Sequence, residues 1–193
     1  VLTSAQEAGT GSGAPSPLHP ELLKLVQCEF RDVAVTSQRA VCSPRDIPYM
    51  GSRTVPIEGF NGSYEAWALL GLSPEEFEIS LPNDVLEEGR WFEPGDYFHC
   101  ILGAERAKEI GVRLGDPELG YVRFGGSDEV KLRVVGIVKD QIFDGVEDLF
   151  GSFQPLDPRV PYVPGSKLTT LPVRDYVIVP YRFLVDFPWN PQG

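Results

Sequence analysis

Around residue 130 the chain alternates between apolar and other side chains with a period of two. Val130, Leu132 and Val134 take turns with Lys131, Arg133 and Val135. That period belongs to a strand with one buried face. The run YVRF at 121–124 stands before it across Gly125-Gly126-Ser127-Asp128, so the two predict a β-hairpin. Upstream, residues 97–102 form a short, largely apolar strand. Residues 103–110 predict a helix, because Ala104, Ala107 and Ile110 share a face and Gly111 stands where a C-terminal glycine cap belongs. Leu114-Gly115-Asp116-Pro117 reads as a turn, and DYVIVPY at 175–181 as a late apolar strand.

The rest of the pattern is less regular. Residues 1–17 hold small residues, glycine and proline with little to bury, and read as a flexible lead-in. Residues 20–26 predict a short helix with Leu22, Leu25 and Val26 on one face. A β-rich segment follows at 30–41. Residues 53–60 predict a second strand, broken by Pro56 and turned by Asn61-Gly62-Ser63. Residues 63–70 read as a helical turn. Ser73 reads as an N-cap, with Pro74 at the first helical position and Glu76 completing a capping box. The pair Gly89-Arg90, followed by Trp91 and Phe92, predicts a turn anchored by buried rings and ending in the loop Pro94-Gly95-Asp96. Prolines 155, 158, 161 and 164 mark an irregular excursion, and no 20–50-residue period repeats.

Composition narrows the class. The 193 residues suffice for one large domain or two small subdomains, and with 42% hydrophobic and 11% aromatic residues the chain is globular. A net charge of −11 argues against nucleic acid and against an anionic membrane leaflet as partners. No apolar run approaches the roughly 20 residues of a membrane span. No basic stretch followed by an apolar signal core opens the chain. It therefore reads as soluble, an excised piece if its parent is a membrane protein.

Candidate chemistry is sparse. Cys28, Cys42 and Cys100 lack metal-ligand spacing. A continuous strand over 30–41 would hold Cys28 and Cys42 too far apart to bond, and a tight turn at Thr36-Ser37-Gln38 would bring them together. His99 and Cys100 are a candidate base and nucleophile, but strand neighbours point to opposite faces. The acidic stretch 144–148 lacks the alternating oxygens of a calcium loop. The pairs Glu75/Glu76 and Glu87/Glu88 diverge in direction and make poor acid/base pairs. The GTGSG of the lead-in has neither a strand before it nor a lysine after it, and no nucleophile-elbow, P-loop or zinc-protease motif is present. No catalytic residue, metal or cofactor is predicted.

The order of the turns carries a resemblance. Gly71-Leu72-Ser73-Pro74 precedes Gly89-Arg90-Trp91-Phe92 and Asp96; then come Ile101-Leu102-Gly103 with Ala107, Gly115-Asp116-Pro117 with Gly120, the turn Gly125-Gly126, the run Val134-Val135-Gly136-Ile137-Val138, and Val179-Pro180-Tyr181. In that order they resemble the periplasmic core domain of MacB-type and FtsX-like ABC-transporter permeases, well over 60–140 and loosely over 20–60 and 175–185. The resemblance implies an α+β fold. A porter-like α/β subdomain would use 18–74 and 141–193, with a β-rich subdomain inserted over 75–140. It also implies a place on the outer side of the bacterial cytoplasmic membrane, held by flanking helices outside this chain. The implied role is to carry motion driven by a cytoplasmic ATPase to a substrate or a periplasmic partner protein, without catalysis. Two features depart from the family. The chain stops soon after the hydrophobic-Pro strand, and the proline-rich stretch 155–164 replaces a compact connection. A free-standing ligand-binding or adaptor domain is the alternative, and a cysteine enzyme the third reading.

Overall fold

The computed structural model describes residues 37–42, 54–124, 130–148, 151–161 and 168–186. Within them the chain runs β1 (Arg39–Cys42), β2 (Val55–Glu58), β3 (Ser63–Ala66), β4 (Ala68–Leu72), α1 (Glu76–Ile79), β5 (Leu86–Gly89), β6 (His99–Gly103) and α2 (Ala104–Glu109). It continues with β7 (Tyr121–Phe124), β8 (Lys131–Val138), α3 (Asp140–Asp144), β9 (Glu147–Asp148), β10 (Gly151–Ser152), a 3₁₀ turn (Val173–Asp175), β11 (Tyr176–Pro180) and α4 (Tyr181–Asp186). Nine of these strands make one mixed sheet in the order β1-β4-β11-β6-β8-β7-β2-β3, with β5 also paired to β8. β9 and β10 form a small separate ladder. The architecture is α+β. β4 and β11 come from the stretches expected to be porter-like, β6 and β8 from the stretch expected to be inserted, and they are neighbours in this one sheet.

The centre of the sheet is buried on both faces. Leu69, Val177 and Val179 enter one apolar cluster, while Ala68, Leu70, Leu72, Tyr176 and Ile178 enter the other. Strands covered on both sides read as unbroken apolar runs, which is why 175–181 shows no alternation. β8 changes phase midway. Its register with β6 slips, so that Cys100 faces Val134 and Ile101 faces Gly136, leaving Val135 as an extra residue. Before the slip Leu132 and Val134 enter the first cluster. After it Ile137 enters the first, and Val135 and Val138 enter the second. The hairpin expected from the period of two is the β7–β8 ladder, with Val122 opposite Leu132.

Two connections leave the sheet in opposite directions. β4 and β11 run parallel, with Leu72 opposite Pro180 at their carboxyl ends. From β4 the chain turns towards the second cluster, where Leu81 is buried and Phe77 packs. From β11 it enters α4, whose Phe183 and Leu184 are buried in the first cluster.

Several expectations are corrected. Residues 63–70 are not a helical turn but β3 and the start of β4: Tyr64 and Ala66 are buried between exposed Ser63 and Glu65, and Ala68–Leu72 is buried throughout. Antiparallel pairing with β2 holds 63–66 and parallel pairing with the distant β11 holds 68–70, which overrides the helix preference of these residues. β2 runs through Pro56, which stands opposite Glu65, while the ladder to β7 involves only Ile57 and Glu58. Ser73 does not cap α1; Glu75 holds the cap position without a side-chain bond. The Ser73 hydroxyl instead accepts from the Gln38 N–H at 3.0 Å. The helix expected at 20–26, most of the segment 30–41 and Cys28 lie outside the described residues.

One glycine contact sets a test of this packing. A Cβ on Gly136 would stand 2.4 Å from the Arg90 carbonyl oxygen, a backbone atom that cannot step aside cheaply, whereas one on Gly95 would meet nothing within 4 Å. Gly136→Ala is expected to cost about 1–3 kcal/mol, the usual penalty of overpacking, while Gly95→Ala stays within about 0.5 kcal/mol of the parent. Urea unfolding of the two variants measures the difference.

Candidate functional site

The segment after β5 is fastened to β8 by backbone. Gly89 has a φ of +84°, and a Cβ there would lie 2.3 Å from the Val135 carbonyl oxygen. Only glycine tolerates both the angle and the approach. The Arg90 N–H then donates to that same Val135 oxygen at 2.9 Å. Trp91 and Phe92 turn inward, 6% and 4% exposed. Trp91 stacks on Phe77 with ring centroids 5.9 Å apart, and its Nε1–H donates to the Ser73 carbonyl at 3.5 Å.

The loop closes on an ion pair. Arg90 Nη1 donates to Asp96 Oδ2 at 2.7 Å and Nη2 to Oδ1 at 3.1 Å, a two-pronged geometry that guanidinium and carboxylate match. Oδ2 also accepts the Glu93 N–H at 2.9 Å. Burial pushes the Asp96 carboxyl up, but the Arg90 guanidinium and the Glu93 N–H outweigh it and hold the group below the usual carboxylate range. His99 Nδ1 lies 3.4 Å from Asp96 Oδ1 without the alignment of a hydrogen bond. Burial lowers the imidazole's affinity for a proton, Asp96 opposing it, and the net shift is downward.

Beside this loop the carboxyl ends of β4 and β11 leave a gap, because their chains depart to opposite faces of the sheet. A crevice of about 190 Å³ opens there among Ser73, Pro74, Phe92, Asp96, Pro180 and Arg182. A second, shallower cleft of about 300 Å³ lies against Pro74, Phe77, Trp91 and Phe92, with Glu75 and Glu78 at it. The two share Pro74, Glu75 and Phe92. Across from α1, Arg39 Nη2 pairs with the buried Glu76 carboxylate at 3.3 Å and the Ser37 hydroxyl donates to it at 2.8 Å, which fixes the crevice wall.

The motif residues therefore fall into three places. Gly89, Arg90, Trp91, Phe92, Asp96, Val135, Gly136 and Pro180 gather around the loop and crevice. Gly103 is elsewhere: it precedes α2, and a Cβ on it would stand 2.7 Å from Asp140 Oδ1. That oxygen accepts the Ala104 N–H at 2.6 Å, so Asp140 caps α2 from another element. Gly115, Asp116, Pro117 and Gly120 form a turn leading into β7. There Asp116 Oδ1 accepts the Glu118 and Leu119 N–H groups at 2.8 and 2.9 Å. The sequence reading missed the roles of Asp140, Gln38, Arg39 and Glu76; their partners stand more than thirty positions away, beyond any local pattern.

The candidate chemistry is taken up by structure. Cys100 is fully buried and its thiol is pushed far up by burial, so it does not supply a thiolate. Asp144 accepts the Val173 N–H at 2.7 Å and tethers the 3₁₀ turn. Among the described residues no three His, Cys, Asp or Glu side chains are placed to hold a metal ion.

The Arg90–Asp96 pair has a pH signature. Asp96 has a folded pKa below its unfolded value, so its stabilisation is complete above about pH 4 and is lost as the pH falls through the folded value. Asp96→Asn is expected to lower stability at pH 7 by about 1–3 kcal/mol and to flatten the loss between pH 4 and 2. Thermal unfolding of parent and variant across that range measures both.

No protein-family model matches the chain, and no curated protein matches it. Solved structures do. Superposed on the periplasmic region of MacB from Actinobacillus actinomycetemcomitans, the chain gives a TM-score of 0.47 at 14% identity, with 89% of this chain and 58% of that one covered. On the extracellular domain of the noncanonic ABC-type transporter YknZ from Gram-positive bacteria it gives 0.41 at 13% identity, with 76% and 66% covered. The chain thus spans somewhat over half the length of the first. The superpositions are partial and assign no residue a role. What they describe is a chain similar in part to these two extracytoplasmic domains.

Proposed function

We propose that this chain is a non-catalytic extracytoplasmic domain of an ABC-transporter permease of the MacB/FtsX type, which passes ATP-driven motion to a substrate or partner protein. The observation that supports it is the convergence of one group of the resembling motifs. Ser73-Pro74, Gly89-Arg90-Trp91-Phe92, Asp96, Val135-Gly136 and Pro180 are scattered along the sequence, yet they meet at one loop and crevice through backbone contact, ring stacking and an ion pair. A motif order that arose by chance has no reason to close on itself in space.

The build suits transmission. A part that relays displacement must move as a body, and a packed sheet whose central strands are buried on both faces deforms little there. Residues 73–78, 90–96 and 180–182 come from three parts of the chain and are braced on that sheet, so a push at the crevice is passed to the whole. The partner that supplies the motion is the cytoplasmic ATPase of the same transporter, reached through flanking membrane helices. No described helix is itself long and apolar enough to cross a membrane.

The parent reading frame tests the proposal. Apolar stretches of about 20 residues on both sides of this chain are expected, with the chain protease-accessible from outside in intact spheroplasts. A cleavable signal directly before Val1 and a stop codon directly after Gly193 would overturn it in favour of a free-standing adaptor domain.

A further inference from the structure

We propose that the crevice at the ends of β4 and β11, together with the adjoining cleft, is a docking groove for an extended segment of a partner protein that presents a basic side chain next to an apolar one. The inference rests on the partner-handling reading above and names the surface and chemistry involved. Its first support is topological. Where two parallel neighbours send their chains to opposite faces of a sheet, a gap forms outside their carboxyl ends, and such gaps are where open sheets take their ligands. β4 and β11 meet that condition: Leu72 and Pro180 end the strands side by side, Leu81 then packs on one face, and Phe183 on the other.

Openness, not volume, favours a chain segment over a small molecule. Pockets for drug-sized ligands, of about 300 to 1,000 Å³, enclose most of the ligand's surface. Here there are two open hollows of about 190 and 300 Å³, joined at Pro74, Glu75 and Phe92. Each takes one side chain, and their junction lets consecutive residues of one extended backbone fill both. The cleft floor is ring and proline surface from Phe77, Trp91, Phe92 and Pro74, suited to an aliphatic or aromatic side chain.

Charge decides the sign. Glu75 and Glu78 are exposed at the cleft, and neither has a side-chain ion pair among the described residues. Asp96 is neutralised by Arg90, and Glu93 lies 3.5 Å from the same guanidinium. Arg182 is the one further cation at the crevice among the described residues. With Glu75, Glu78, Glu93 and Asp96 set against Arg90 and Arg182, the groove is left acidic. A cation placed beside Glu75 gains, and an acidic segment is repelled.

The test uses the 193-residue chain and two synthetic ten-residue peptides, one alternating arginine with leucine and one alternating glutamate with leucine. Backbone amide shifts are followed by NMR on titration. The arginine peptide is expected to shift amides within 73–78, 90–96 and 180–182, and the glutamate peptide to leave them in place. The double variant Glu75→Lys, Glu78→Lys changes only exposed side chains and is expected to weaken binding about tenfold or more, while Glu65→Lys on β3 leaves it unchanged. Equal weakening by Glu65→Lys, shifts centred outside the three segments, or no shift at all would overturn the groove. These outcomes are independent of the flanking sequence: a parent frame without membrane spans would sink the permease reading and leave the peptide result standing.

Discussion

Everything near the candidate site hangs on one close approach of backbone to backbone, where Gly89 and Arg90 pass beside Val135 and Gly136. Each of the two glycines occupies a place where a Cβ would intrude on the other strand's carbonyl oxygen, at 2.3 and 2.4 Å. The approach is possible only because β8 bulges at Val135, freeing that residue's carbonyl to accept the Arg90 N–H. The same bulge changes the face to which the rest of β8 points, so Val138 joins the second apolar cluster instead of the first. One extra residue in one strand therefore both seats the loop and completes the core beneath it. With β5 seated, Trp91 and Phe92 have a fixed place to bury their rings, and Arg90 is brought within reach of Asp96.

The sequence made the local features legible. Alternation over 130–134 identified the hairpin because one of its faces is exposed, as Lys131 and Arg133 show. Gly111 marked the end of α2, and its φ of +75° is the left-handed turn that a glycine cap needs. The buried rings at Trp91 and Phe92 were foreseen from two aromatics following a Gly-Arg pair. What stayed hidden depends on partners far away. Ala66, Ala68, Leu69 and Leu70 favour a helix in isolation and become strand because β2 pairs with Ala66 and the distant β11 supplies a parallel neighbour to Ala68, Leu69 and Leu70. Ser73-Pro74-Glu75-Glu76 has the form of a capping box, yet Ser73 is taken by Gln38 and Glu76 by Arg39. Nothing in Val134-Val135-Gly136 alone distinguishes a regular strand from a bulge. The crevice was invisible for the same reason, since it exists only where two connections part.

Charge is distributed to match this division. Some carboxylates are spent on fixed tasks: the buried Asp96 holds Arg90 and the buried Glu76 receives Arg39, while the more open Asp140 caps α2 and Asp144 tethers the turn before β11. Outside, Glu75 and Glu78 stand at the mouth of the groove with no ion-pair duty among the described residues, and they give the overall acidity of the chain a local use. In a domain so built Cys100 is sealed in the core, and no three His, Cys, Asp or Glu side chains among the described residues are placed to hold a metal ion. The domain offers a shaped, negatively charged recess on a stiff support.

Stiffness at that support is the central claim, and amide hydrogen exchange at Arg90 tests it most directly. If the Gly89–Arg90 backbone is part of the sheet, the Arg90 N–H will exchange only with global unfolding, as slowly as the N–H of Val134, which donates to the Gly120 carbonyl. Exchange at Arg90 orders of magnitude faster than at Val134 would show a loop that opens on its own. It would contradict an account in which loop, crevice and sheet move as one body.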